Sequence, residues 1–126
     1  MNLQEIFDQI ESLQFEVKLG VLSGFSSFYA ALQTDELVNA LIGEAGNSFE
    51  NKEILYRRFL DVLRTNDQPE YAHPHDAALA AYLLALKSVE PGLGLAAAIQ
   101  AKTTAQLWWT RKLAEQILAE VQTSSM

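Results

Sequence analysis

Apolar positions recur at helical intervals along the whole chain. Leu3, Ile6, Phe7, Ile10, Leu13 and Val17 come every three or four residues, a spacing that places them on one face of an amphipathic helix over about 3–18. Asn2, followed three residues later by Glu5, supplies a capping signature at its start. Within that segment Phe15-Glu16-Val17-Lys18-Leu19 also alternates with period two, so a short strand over 15–19 is the alternative reading. No other run provides a partner strand. Gly20 marks a break, and Ser23 caps a second helix bearing Phe25, Phe28, Tyr29 and Leu32. Thr34, with Asp35 and Glu36 behind it, caps a third helix. Its inner side is Leu37, Val38, Leu41 and Ile42, and Gly43 or Gly46 ends it.

Asn47 and Glu50 repeat the capping signature before a fourth helix running to about Arg64. Phe49, Leu55, Tyr56, Phe59, Val62 and Leu63 share its inner face, with Arg57, Asp61 and Arg64 opposite. A polar, proline-containing loop over 65–70 follows. Pro74 then opens a fifth helix, capped by His73, with Asp76 in its first turn. From Ala77 to Leu86 this helix has no polar face apart from the Tyr82 hydroxyl. Such a helix needs neighbours on every side, which makes it the expected centre of the fold. After a turn over 89–94, Leu95, Ile99, Thr103, Leu107, Thr110, Ala114, Ile117 and Val121 hold one helical phase. They predict a single long C-terminal helix, kinked near Thr103-Thr104, with a frayed tail over 123–126. With no repeat and no dividing linker, the expected architecture is one all-α domain over 1–126, a bundle of about six helices.

Charge narrows the choice of partner. Sixteen acidic side chains against nine basic ones give −7, a field that repels phosphate backbones and anionic lipid and draws basic partners. The local cations Lys52, Arg57, Arg58 and Arg64, and Lys102, Arg111 and Lys112, are interleaved with carboxylates. Neither nucleic acid nor membrane is therefore an expected partner. No apolar run approaches the roughly 18 residues that a membrane span needs. The opening Met1-Asn2-Leu3-Gln4-Glu5 has no basic leader, and the chain has no cysteine. The cytoplasm is the expected location.

Three motifs carry possible chemistry. His73-Pro74-His75-Asp76 brings both histidines of the chain beside a carboxylate, a set of metal-ligating types. The His75-Asp76 doublet resembles the one that names the HD phosphohydrolases, all-helical metal enzymes, and the resemblance implies metal-assisted hydrolysis. That family also uses a separate upstream histidine and a distant downstream aspartate, whereas no histidine precedes His73 and no aspartate follows Asp76. A helix start accounts for the same residues, with a cap, a proline and an acid in the first turn. Gly92-x-Gly94-x-x-Ala97 spells a dinucleotide fingerprint, but it lies between helical segments instead of after a strand, so its glycines are read as permitting a turn and close helix approach. Glu11-Ser12-Leu13 has a faint resemblance to the phosphopantetheine serine of acyl carrier proteins; that serine starts a helix after an aspartate, and Ser12 falls inside the helix predicted over 3–18. No nucleophile motif occurs. No catalytic, cofactor-binding or metal-ligating residue is assigned, and no cofactor.

The pair Trp108-Trp109 is the most informative feature that remains. At about 100° per residue, Trp109 falls at the edge of the C-terminal helix's inner stripe. Trp108 points away, among Arg111, Lys112 and Glu115. An indole on a charged face is explained by a cation over its ring, by packing of earlier helices, or by a second chain. The last is the working hypothesis: a small acidic interaction or regulatory module, non-enzymatic, acting through Trp108, Arg111, Lys112 and Glu115. Its partner is another protein or a second copy in a homodimer. The alternative is an HD-like hydrolase using His73, His75 and Asp76. Gln100, Thr103 and Thr110 put polar groups along the same helix, satisfied on their own preceding turns or lining a small pocket.

Overall fold

The computed structural model describes residues 1–66, 75–104 and 107–124. Among them the chain is all-α, with no strand and eight helices: α1 (Leu3–Ile10), α2 (Leu13–Gly20), α3 (Phe25–Thr34), α4 (Glu36–Ala45), α5 (Phe49–Asn66), α6 (Asp76–Val89), α7 (Pro91–Ala101) and α8 (Trp108–Ser124). The expected count of about six is too low because two predicted helices each divide. The segment over 3–18 breaks at Ser12, whose backbone is extended. Its hydroxyl donates to the Gln9 carbonyl at 2.6 Å and accepts from the Phe15 N–H at 3.3 Å. Ser12 thus starts a helix instead of lying inside one. The break resets the helical phase, so Ile6, Phe7 and Ile10 are buried while Leu13 and Val17 are 56% and 54% exposed. Residues 15–19 are helical, and their alternation reflects Phe15 and Leu19 buried one turn apart with Val17 outside.

The single long C-terminal helix is likewise two. Past α7, the Thr104 N–H bonds the Ala101 carbonyl at 3.1 Å and the Leu107 N–H bonds the Thr104 carbonyl at 3.3 Å. α7 thus ends at Ala101 and α8 starts afresh at Trp108, with 105–106 outside the described residues. The phase predicted across the break fails with it: Ile99 and Thr103 are exposed, whereas Leu107, Thr110, Ala114 and Ile117 are buried. Of the tail expected over 123–126, Thr123 and Ser124 belong to α8, and 125–126 lie outside the described residues.

At the centre lies α6, where every residue from Ala77 to Leu86 is buried. It packs against α2, α4, α5, α7 and α8. Its many alanines let neighbouring backbones come close. One close approach is at Gly94 of α7, where an added Cβ would stand 2.7 Å from Lys87 Cα and 2.8 Å from its nitrogen. The Gly92–Ala97 motif therefore sits inside a helix started by Pro91, and Gly94 serves packing.

Several starts differ by a residue from the sequence reading. Asp35, not Thr34, caps α4, accepting from the N–H groups of Leu37 and Val38 at 2.8 and 3.2 Å, and it also holds Lys18 at 2.8 Å. Gly24 replaces Ser23 ahead of α3. Ser48 accepts from the Asn51 N–H at 3.1 Å, where Asn47 was expected to cap α5. Phe49, placed on the inner face, is 67% exposed because it stands at the very start of that helix. α6 begins at Asp76 after His75, and the expected cap and first-turn proline, His73 and Pro74, lie outside the described residues. A half-buried ionic cluster ties the end of α1 to α5 and α6. Arg58 donates from Nε and Nη2 to the two Glu11 oxygens at 2.7 Å each, and the Tyr82 hydroxyl donates to Glu11 Oε2. Burial and the adjacent Glu11 charge push the Tyr82 phenol above its ordinary range. No helix among the described residues is long and apolar enough to cross a membrane.

Candidate functional site

The first turn of α8 is built from groups far apart in sequence. A helix start leaves its first backbone N–H groups without internal partners. For α8 two of them are met by Asp76, at the opposite side of the α6–α8 contact. Asp76 Oδ2 accepts from the Trp109 N–H and Oδ1 from the Thr110 N–H, each at 2.8 Å. The Thr110 hydroxyl lies 2.8 Å from Oδ1 and 2.9 Å from the Asp76 carbonyl, and it donates to one of them at a time. All of these groups are buried. A carboxylate at the positive end of the helix dipole strengthens the arrangement.

A second carboxylate does for α6 what Asp76 does for α8. Glu16, on the inner side of α2, accepts from the Ala77 N–H at 2.9 Å. Burial raises its carboxyl to about 7, the Asp76 charge adds to the rise, and the backbone N–H groups of Ala77 and Ala78 oppose it. The two caps form a relay: α2 holds the start of α6, and the first residue of α6 holds the start of α8.

That relay fixes the two tryptophans differently. Trp109 is buried, 6% exposed, with its ring stacked on Phe28 at 4.6 Å and 6°, and its indole N–H donates to the Gly20 carbonyl at 3.4 Å. Trp108 is 53% exposed. The Lys112 ammonium stands 4.5 Å from its ring centre, a cation–π contact that covers one face. Among the described residues it is Lys112, not Arg111, that stands over the ring. Arg111 is half-buried on the following turn and Glu115 is exposed one turn beyond. The four residues named from the sequence thus share the outer side of one anchored segment, and Lys112 and Trp108 touch each other.

The other candidates fare less well. Of His73, His75 and Asp76, only the last two are among the described residues, and both Asp76 oxygens are engaged by α8. No group of three His, Cys, Asp or Glu among the described residues could hold a metal ion. Thr103 bonds its own preceding turn through the Gln100 carbonyl at 3.4 Å, whereas Thr110 bonds Asp76. Leu60, Leu63, Arg64, Gln100, Thr103 and Thr104 line an open, mainly polar hollow rather than an enclosed apolar cavity.

Two features escaped the sequence reading. Leu13 and Val17 of α2 and Val21 just past its end form an exposed apolar stripe at intervals of four, hidden by the assumption of one continuous helix. Ser12, a strong cap type, was the available signal. The tertiary caps of Glu16 and Asp76 had no local signal, since their partners lie 61 and 33–34 residues away. The chain matches no protein-family model, and no curated protein or solved structure is significantly similar to it.

Proposed function

We propose that this chain is a non-enzymatic interaction or regulatory module that docks a protein partner through the first turns of α8. Trp108 is the anchor, and Arg111, Lys112 and Glu115 form its charged rim. One observation carries the reading: a half-exposed indole on a turn whose neighbours Leu107, Trp109 and Thr110 are all buried. Asp76 and the Phe28 stack hold that turn rigid, so the indole is presented at little further entropic cost on binding. A tryptophan flanked by cations is a frequent composition for an interface hot spot.

A second copy of the chain is the simplest partner to test. Light scattering over a range of concentrations, with and without Trp108→Ala, reads self-association directly. Affinity capture with the same pair reads a foreign partner. Loss of the dimer, or about tenfold weaker binding of the captured protein by Trp108→Ala at unchanged Tm, supports the docking face. Equal oligomeric state and equal capture by parent and variant overturn it.

A further inference from the structure

The outer side of α7 is apolar and open to solvent. Its inner residues Gly94, Ala97, Ala98 and Ala101 are buried, whereas Ile99 is 50% exposed, Gly92 is exposed, and Leu95 and Ala96 are half-buried. These four outer positions come at i, i+3, i+4 and i+7, one face of a helix. No charged side chain occurs from Pro91 to Ala101. Charge returns only at the two caps, Glu90 before the helix and Lys102 after it. Neither cap is in an ion pair among the described residues. The Glu90 carboxylate lies beside Gly92, since a Cβ added there would stand 3.8 Å from Oε1. Gly92 has no positive φ, and that carboxylate is the one neighbour such a Cβ would meet, so no packing inside the chain asks for a glycine.

The open face continues onto α5, which runs alongside α7 in the same direction. Leu60 and Gln100 line one hollow at one end. At the other, a Cβ added at Gly46, just ahead of α5, would stand 3.6 Å from Val89, just ahead of α7. Phe49 and Tyr56 are in helical phase with Leu60 and extend the apolar surface along that edge, Phe49 being 67% exposed.

We propose that this face seats a second copy of the chain, with α7 antiparallel to its counterpart about a two-fold axis at Ala96. Charge selects that occupant. Ala96 is the midpoint of the 11-residue helix, with Glu90 and Lys102 six residues to either side. Reversal therefore sets Glu90 of each copy opposite Lys102 of the other, two complementary pairs from a single chain. Two chains at −7 repel each other overall, and the uncharged middle of α7 lets them meet without burying like charges. The area is of the right order. The 18 residues of α5 span about 27 Å, and a pair of helices is about 20 Å across. Roughly 500 Å² from each copy gives roughly 1,000 Å² in total, enough for a weak dimer and too little for a permanent one. This inference is separate from the docking reading of α8, which needs no second copy.

The test is sedimentation velocity of the full chain from about 10 μM to about 1 mM, the range of a weak dimer. The mass should climb from one chain toward two. Glu90→Lys and Lys102→Glu should each weaken the dimer by about tenfold, because the symmetry breaks both pairs at once, and the double swap should return it to within about threefold of the parent. Ile99→Glu, at unchanged Tm, should abolish it. A parent that stays monomeric throughout overturns the proposal without any variant. So does a dimer that survives Ile99→Glu, or a double swap as weak as either single one. Trp108→Ala should leave this dimer intact; a dimer lost with Trp108→Ala yet kept with Ile99→Glu assigns self-association to α8 and overturns the α7 face. Equal capture of a foreign protein by parent and Trp108→Ala removes the α8 docking reading and leaves the α7 dimer standing.

Discussion

Asp76 illustrates how one side chain can serve an element other than its own. It sits in the first turn of α6, a position where an acid ordinarily favours its own helix dipole, yet its oxygens face the start of α8. Removing it leaves the Trp109 and Thr110 N–H groups buried without an acceptor, a penalty larger than that of an exposed cap. Asp76→Ala should therefore cost about 2–4 kcal/mol in urea unfolding, and Asp76→Asn, which retains one acceptor, should cost less. If Asp76→Ala unfolds at the parent's midpoint, the tertiary cap has no energetic weight. Tyr82 makes a useful contrast. Its hydroxyl donates to a Glu11 carboxylate already gripped by both Arg58 donors. Tyr82→Phe leaves that carboxylate satisfied and should cost only about 1 kcal/mol, whereas Glu11→Ala strips Arg58 and Tyr82 together and should cost clearly more in the same assay.

At the level of helices, Gly43 of α4 and Gly94 of α7 separate backbone freedom from packing. Gly43 stands in a helix with open space where a Cβ would go, while Gly94 has the Lys87 backbone there, at 2.7 Å. Gly43→Ala should stabilise by about 0.5–1 kcal/mol through helix propensity alone. Gly94→Ala should destabilise by about 1–3 kcal/mol as α6 and α7 are forced apart, and thermal melts of the two variants read opposite signs. The same distinction explains which elements could be read from sequence. The apolar run from Ala77 to Leu86 announces a surrounded helix because no polar residue competes for any face, and α6 is that helix. Apolar phase alone could not see the breaks at Ser12 and after Ala101, because a helix's periodicity survives a short interruption by coincidence. Leu13 and Val17 keep the spacing of Ile6 and Ile10 yet face outward. Trp108 and Trp109 were separable because adjacent residues on a helix diverge by about 100°. The capping carboxylates beneath them were not, since tertiary caps leave no mark on local pattern.

Over the whole molecule, the pH dependence of stability gathers these terms into one measurable curve. Glu16 has a folded-state value of about 7 against 4.5 when exposed. A carboxyl raised on folding favours the native state least once it is ionised in both states, so stability should fall as pH rises from about 4.5 to 7 and then level off. A fully dry site would make that loss about 3 kcal/mol. Partial solvent access reduces it to roughly 1–2 kcal/mol. The excess of acidic side chains pushes the same way, since ionisation of a chain already at −7 increases self-repulsion. On the acid side the order reverses: the Glu120 carboxyl, lowered by its 2.9 Å pairing with Lys87, loses that partner when protonated. Maximal stability is therefore expected near pH 5 rather than at neutrality. Urea midpoints at fixed ionic strength should be higher at pH 5 than at pH 8, and Glu16→Gln should remove most of the difference. A parent whose midpoint stays level or climbs across that interval would show that Glu16 is ionised in the folded chain at no cost, with water reaching the α2–α6 junction.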